Sequence, residues 1–480
     1  HYADDEYPLS TAQRRLWVME ELTNNLPVYN ATNAFTIKGK FHPAAFITAA
    51  EAVLRRHPVF YTTFSDSPNG PCQKIDWDMK LQVESVDLTD SGKEAEDIAF
   101  EAYAKDYATS FDLRKGPLFH CKLYKLKEGE FYFTMVVHHI IFDGWSHFLF
   151  YNQLWSFYQD LVLGNNIMED IQKPLYCEFA QDQQDKNSLL YQQMQNDLKF
   201  WTEKLSGDLP LTALPGDKLR PAVFSHRGER IIEIIPTSKL AILESFCKDQ
   251  NLTMFTLLSA SVFALVHQYT GLEDLIIGTP IAGRVKSNLN HIIGCFINTL
   301  ALRLKLDANM TVKNFLRETT NMCFEAFDHQ AAPFDQVVSN LSLPRDTSIT
   351  PVFNINVCFH NTEMKETHVD TPDDITVTRK LLHNETAKWD LYFDFLQERD
   401  GITFTLEYYS DLFSHTYAKD IVKNFLHMLD NICSSGHDDL MSQLMVPDVE
   451  EIPSHCKSIL HGPMKDLGDK TLPLLINEAL

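Results

Sequence analysis

The chain has 480 residues, 44% of them hydrophobic, and exceeds the roughly 250–300 residues at which a single core stops growing, so two domains or lobes are expected. Its 42 basic residues stand against 65 acidic ones, a net charge of -23 that argues against a nucleic-acid backbone as the main ligand and leaves any acidic partner to local basic patches. Nine cysteines without a CxxC pair or a metal-ligand spacing argue against a disulfide scaffold and fit a reduced, cytoplasmic protein.

From the N-terminus, HYADDEYPLS shows no basic region leading into an apolar one, and no secretory signal is read there. STAQRRLWVMEEL follows, with Ser10 and Gln13 in capping-box spacing, and predicts a helix from about Thr11. HPAAFITAAEAVLRRHP sets Phe46, Ala50, Val53, Leu54 and His57 on one helical face before Pro58 stops it. VFYTTF then reads as extended, and SDSPNGPCQ as a turn. EFYFTMVVHH, rich in β-branched and aromatic residues, predicts a buried strand. Beyond a short loop, Phe148, Tyr151, Leu154, Trp155, Tyr158 and Leu161 recur at helical spacing until Gly164-Asn165.

A polar stretch, EFAQDQQDKNSLLYQQMQNDLKFW, and the Pro/Gly-containing LPLTALPGDKLRP separate this half from a second one. There, SKLAILESFCKDQN and TMFTLLSASVFALVHQY predict helices, and DLIIGTPIAGR, TPVFNINVCFHN and ITFTLEYYSD predict strands. The apolar window Met254 to Val266 is short for a membrane span and reads as a buried helix. Two mixed α/β lobes meeting near residues 175 to 220 are the natural division.

The chemistry concentrates in VVHHIIFDGWS, where His138 and His139 close the predicted strand and Asp143 and Gly144 follow. Successive strand residues face opposite sides, so one histidine points into a given cleft and the other serves packing. Taken alone, HHxxxDG is open between a metal site, an acid/base site and plain structure. No further Cys, Glu or His stands at a spacing that completes a ligand set, so no metal is expected.

The rest of the chain makes a resemblance specific. LSTAQRRLW (Leu9 to Trp17), RRHPVFYTTF (Arg55 to Phe64), VHHIIFDGWS, YCEFA (Tyr176 to Ala180), IIGCFINTLALR (Ile292 to Arg303), HQAAPFDQV (His329 to Val337) and RDTSITPVF (Arg345 to Phe353) occur in that order. Together they resemble the motifs of a condensation domain of a nonribosomal peptide synthetase, in the superfamily of chloramphenicol acetyltransferase-like enzymes. The resemblance implies an α/β (α+β) fold of two chloramphenicol-acetyltransferase-like lobes arranged as a V, with a tunnel between them. It implies an N-terminal lobe over 1–178, a C-terminal lobe over 179–445 and a linker over 446–480 toward an adenylation domain.

It further implies amide formation between a donor acyl or peptidyl thioester and an acceptor aminoacyl thioester. Both substrates arrive on phosphopantetheine arms of donor and acceptor carrier proteins, with no cofactor bound by the domain itself and no nucleic acid or membrane as partner. By the same match His139 is the catalytic histidine, as base or positioner, and His138 is structural. Asp143 pairs with Arg284 of IGTPIAGR to hold the loop and join the lobes, a reading that physics favours because a buried carboxylate without a cation is costly. Gly144 leaves space for an arm and offers an oxyanion donor. Trp145 and Ser146 pack the loop and cap the helix, Asn298 bonds the tunnel wall, and Trp389, where the family usually has phenylalanine, borders the tunnel.

Pro58 and Tyr61 in the second motif, and Ala331 and Ala332 in the sixth, depart from the family's usual residues. Tyr29-Asn30 and the intact HHIIFDGWS are similar to domains that take an L-configured or achiral donor. A fatty-acyl starter or polyketide-hybrid domain, an epimerisation or coenzyme A-dependent enzyme of the superfamily, and a non-catalytic recruitment domain remain as alternatives.

Overall fold

The structure, a computed structural model, describes residues 5–22, 29–344, 346–360, 375–380, 386–398, 401–436 and 438–446. Apart from Val446, the expected linker 446–480 lies outside them. The first half runs β1 (Glu6–Pro8), α1 (Thr11–Leu22), β2 (Asn30–Gly39), α2 (Pro43–Arg56), β3 (Thr62–Ser67), β4 (Gly70–Ile75), β5 (Glu84–Asp87), α3 (Ala95–Tyr107), β6 (Phe119–Lys127), β7 (Glu130–His138) and α4 (Gly144–Val162). Two helices follow, α5 (Tyr176–Asp182) and α6 (Leu189–Lys204). The second half runs β8 (Gly228–Pro236), α7 (Thr237–Gln250), α8 (Met254–Thr270), β9 (Asp274–Ile281), β10 (Asn298–Lys305), α9 (Val312–Asp328), α10 (Phe334–Asn340), β11 (Ile355–His360), β12 (Ile375–Lys380), β13 (Leu391–Glu398), β14 (Gly401–Tyr409) and α11 (His415–Ser434).

The strands form a small sheet β1-β4-β3 and two large ones, β12-β2-β7-β6-β5 and β10-β9-β11-β13-β14-β8. β7 sits at the centre of the five-stranded sheet and is covered on both faces, which is why its sequence reads as an apolar run interrupted only by Thr134 between Phe131 and Val137. Phe133 faces Phe46 of α2 at 5.1 Å and Tyr151 of α4 at 6.4 Å, whereas Tyr132 faces Tyr103 of α3 at 6.5 Å. Pro43 opens α2 with its fixed φ, and His57 follows as an extended C-cap rather than as part of the helical face. VFYTTF is split: Pro58–Tyr61 form a 3-10 turn, and the strand β3 begins only at Thr62.

In the six-stranded sheet the pleat is regular. Phe393 and Phe395 of β13 point to Phe425 of α11, at 5.5 and 5.3 Å, so Tyr392, Asp394 and Leu396 point the other way. β11 runs parallel to β13 with Cys358 opposite Asp394, which places Cys358 and His360 on that same outward face. The core on the inner face includes α8, capped by Thr253, whose hydroxyl accepts from Thr256 N at 3.1 Å, and ended by Gly271 in the left-handed region at φ 69°. Leu257 to Val266 of this helix are all buried, as its composition predicted, and no single described helix is long and apolar enough to cross a membrane.

β12 comes from the second half of the chain but pairs antiparallel with β2, with Ile375 opposite Gly39 and Lys380 opposite Ala34. The polar stretch between the halves is α5 and α6, with Leu190, Met194 and Trp201 of α6 buried.

Candidate active site

β7 ends at His138, and the chain turns at once into a 3-10 turn over His139–Ile141. The two histidines are therefore separated by this turn and not by the pleat. His138 is buried, and its Nδ1 accepts the backbone N–H of Ile140 at 3.0 Å. The imidazole proton then belongs on Nε2, which lies 3.4 Å from Glu20 Oε2. His138 thus stitches the turn to α1.

His139 is partly buried and has the opposite tautomer. Its Nδ1 lies 3.2 Å from the carbonyl oxygen of Phe142, which only accepts, so Nδ1 carries the proton and Nε2 keeps its lone pair. Burial, followed by the nearby Lys388 ammonium, pushes its pKa down to about 4 against the opposing pull of the Phe142 hydrogen bond. The ring is neutral at physiological pH.

Asp143 is both N-cap of α4 and the centre of a junction. Its Oδ1 accepts Ser146 N at 2.9 Å and Ser146 Oγ at 2.8 Å, and its Oδ2 accepts Phe296 N at 2.9 Å. Arg284 meets it bidentately, Nη1 to Oδ2 at 3.0 Å and Nη2 to Oδ1 at 3.2 Å, with the two side chains only 2% and 3% exposed. Ser146 is not itself the cap: its hydroxyl stands 3.0 Å from both the N and the O of Gly294 and carries the link into the 292–296 segment. Arg284 also donates to Ile292 O at 3.0 Å, and its guanidinium lies 4.3 Å from the ring of Phe296. Gly294 is glycine because a Cβ there would run into the ring of Tyr176, whose hydroxyl is 2.7 Å from Ser10 Oγ.

A cavity of about 910 Å³ opens against this junction. Asp143, Gly144, Trp145 and Arg284 reach its wall, together with His147, Phe255, Phe324, Phe327 and Arg379, which sequence reasoning did not single out. His139 is not itself on that wall, but it lies within electrostatic reach of His147, which is, and of Lys388. An added Cβ on Gly144 would meet nothing within 4 Å, so the position borders open space. As first residue of α4, its amide has no carbonyl within the helix to pair with. Trp145 Nε1 donates to Asn290 O at 3.0 Å.

Asn298 and Trp389 are placed elsewhere. Asn298 Nδ2 donates to Ala332 O at 2.7 Å and Gln330 O at 3.2 Å, and its Oδ1 accepts Phe334 N at 3.0 Å, so it clamps the loop before α10 beside a smaller cleft lined by Ser10, Arg15 and Asp335. Trp389 packs edge-on against Tyr392, at 5.5 Å, behind the cavity wall. Its neighbour Lys388, unremarkable in the sequence as part of TAKWD, is exposed, yet surrounding protein holds its pKa below the usual lysine range.

Fold and site together define a protein of two large sheets, each with its own core, whose halves are joined through the aspartate of an HHxxxDG loop. A condensation-domain family model matches residues 3–452. One of the linear gramicidin synthase polypeptides of Brevibacillus parabrevis is 31% identical over 455 residues, which is 93% of this chain and 6% of that polypeptide. A holo four-domain nonribosomal peptide synthetase bound to AMP and glycine superposes with a TM-score of 0.77 at 23% identity, over 93% of this chain and 34% of that one. The condensation domain of the monacolin K polyketide synthase superposes with a TM-score of 0.78 at 18% identity, over 91% of this chain and 99% of that one. The chain belongs to the condensation-domain family, and it spans only a small fraction of the synthase polypeptides it matches.

Proposed function

We propose that this domain forms an amide bond between a donor acyl or peptidyl thioester and the α-amine of an acceptor aminoacyl thioester, each held on the phosphopantetheine arm of a carrier protein. The observation that carries this reading is the His139 tautomer: a lone pair on Nε2, fixed by the Phe142 carbonyl, a few residues from the Asp143–Trp145 stretch that lines a cavity large enough for an acyl group. The amine attacks the donor carbonyl, the C–S bond breaks, and the departing thiolate takes up the proton released by nitrogen. The lengthened chain stays on the acceptor arm.

His139 acts here as hydrogen-bond acceptor and positioner. Its pKa of about 4 lies some four units below that of an α-amine, about 8, so it is a poor match for taking a full proton from the nucleophile. Bringing two arms together in one cavity supplies up to about 7–11 kcal/mol in favourable cases, more than proton transfer alone contributes. Asp143, with five donors on its two oxygens, holds the loop rather than the imidazole, and the Gly144 amide is the candidate oxyanion donor.

The two large sheets are the proposed lobes, divided near residue 178 and facing each other across the reaction space, with β12 crossing from the second to the first. An adjacent adenylation domain and a reducing cytoplasm complete the proposed setting; the described cysteines are all free thiols.

The test supplies a loaded donor carrier and a loaded acceptor carrier and follows the amide by mass spectrometry. Wild type should form it only with both carriers present, and His139→Ala should lose most turnover while keeping its melting temperature and carrier binding. Loss in a folded His138→Ala but not in His139→Ala would reverse the roles, and indifference to both would leave the recruitment reading.

A further inference from the structure

Cys358, His360 and Asp394 converge on the outward face of the six-stranded sheet, where it forms part of the cavity wall. Cys358 and His360 are two residues apart on β11, so they share a face, and the parallel register sets Asp394 of β13 beside Cys358. His360 Nε2 lies 2.9 Å from Asp394 Oδ1 and 3.4 Å from Cys358 Sγ, and one donor atom from each residue lies within 4.8 Å of the others. Tyr392 lines the same wall, close enough to Cys358 and Asp394 that burial and their charges hold its phenol well above the usual range.

A nucleophilic triad does not fit this arrangement. Such a triad uses the two imidazole nitrogens separately, one toward the thiol and one toward the carboxylate. Here the same Nε2 meets both, so sulfur, nitrogen and oxygen surround a common point.

We propose that Cys358, His360 and Asp394 bind a divalent cation of borderline softness, Zn²⁺ by preference, with a fourth coordination position open to the cavity. Zinc bond lengths of about 2.3 Å to sulfur and 2.0–2.1 Å to nitrogen and oxygen put tetrahedral donors about 3.3–3.6 Å apart. The 3.4 Å sulfur–nitrogen spacing already fits, and the 2.9 Å nitrogen–oxygen contact needs only to open by about half an ångström. Thiolate, imidazole and carboxylate in a three-ligand set with one free position is the donor chemistry of zinc rather than of magnesium or calcium. No spacing in the sequence hints at the set, because Asp394 lies 34 residues beyond His360 and only the pairing of β11 with β13 brings them together.

The test uses the full chain, stripped with a chelator and titrated with Zn²⁺ alone by calorimetry, with Co²⁺ as a spectroscopic probe. One equivalent of Zn²⁺ should bind, more weakly as pH falls because thiol and imidazole must shed protons, and Mg²⁺ should not compete. Co²⁺ should give a thiolate charge-transfer band. Cys358→Ser should abolish that band, and His360→Gln and Asp394→Asn should each weaken Zn²⁺ at least about tenfold with unchanged circular dichroism. Absence of saturable binding, or stoichiometric binding that survives in all three folded variants, overturns the site. Neither result bears on amide formation, which is read separately.

Discussion

Asp143 shows how one residue divides its lone pairs. Both oxygens are filled by donors from Ser146, Arg284 and Phe296, and the Nδ1 proton of His139 goes instead to the Phe142 carbonyl. Asp143→Ala strands a buried guanidinium and two backbone amides, and should cost about 3–5 kcal/mol in urea denaturation. A variant of normal stability would show that the ion pair is dispensable. The His139 tautomer leads to a different measurement. Because the ring stays neutral above about pH 4, the acid limb of kcat/KM should follow the acceptor amine, near pH 8, with no inflection around 6.5. An inflection near 6.5 that disappears in His139→Ala would mean that the imidazole titrates normally and serves as base. HHxxxDG and the pairing partner Arg284 were legible in the sequence as motifs. The tautomers were not, since each depends on a turn geometry no residue pattern spells out, and neither was the approach of Lys388 from the far end of the chain.

Among the elements, segments bounded by clear start and stop signals or made of long apolar runs were read well: α2, α4, α7, α8 and the core strand β7 all lie where their patterns placed them. The polar stretch that is α5 and α6 was read from its composition as a separator between the halves, although Leu190, Met194 and Trp201 recur at helical spacing along α6 and are buried. α4 begins at Gly144, which has room beside it, so Gly144→Leu should fold with little change in stability yet lose turnover by filling that space. Normal turnover in Gly144→Leu would place the reacting groups elsewhere. The packing of α2 on α4 has a titratable part. His57 is 1% exposed, its Nε2 3.0 Å from Gln153 Oε1, and burial pushes its pKa down to about 4. Below pH 6.5 the unfolded chain takes up a proton that the folded one refuses, so stability falls between about pH 6.5 and 4, by roughly 2 kcal/mol from pH 7 to 5. His57→Phe should flatten that part of the stability profile; an unchanged slope would assign acid sensitivity to other groups.

At the scale of the whole molecule, β12 decides how the halves depend on each other. Ile375 and Val377 are 3% and 6% exposed and belong to the first core, although they lie far along in the second half of the chain. No local pattern could reveal this, because the partner strand β2 lies some 340 residues away in sequence. Val377→Asp should therefore raise amide exchange across β2, at Asn30–Gly39, more than in the six-stranded sheet. Equal or smaller exchange in β2 would show that β12 adds little to that sheet. The same strand governs recombination between related synthetases. A chimera joined near residue 178 would receive its first-sheet edge from a foreign parent, exposing β2 to an ill-matched neighbour and an open edge to aggregation. Grafts that carry 375–380 along with the N-terminal half keep the native pair, so the heritable unit is discontinuous in the gene while continuous in the sheet.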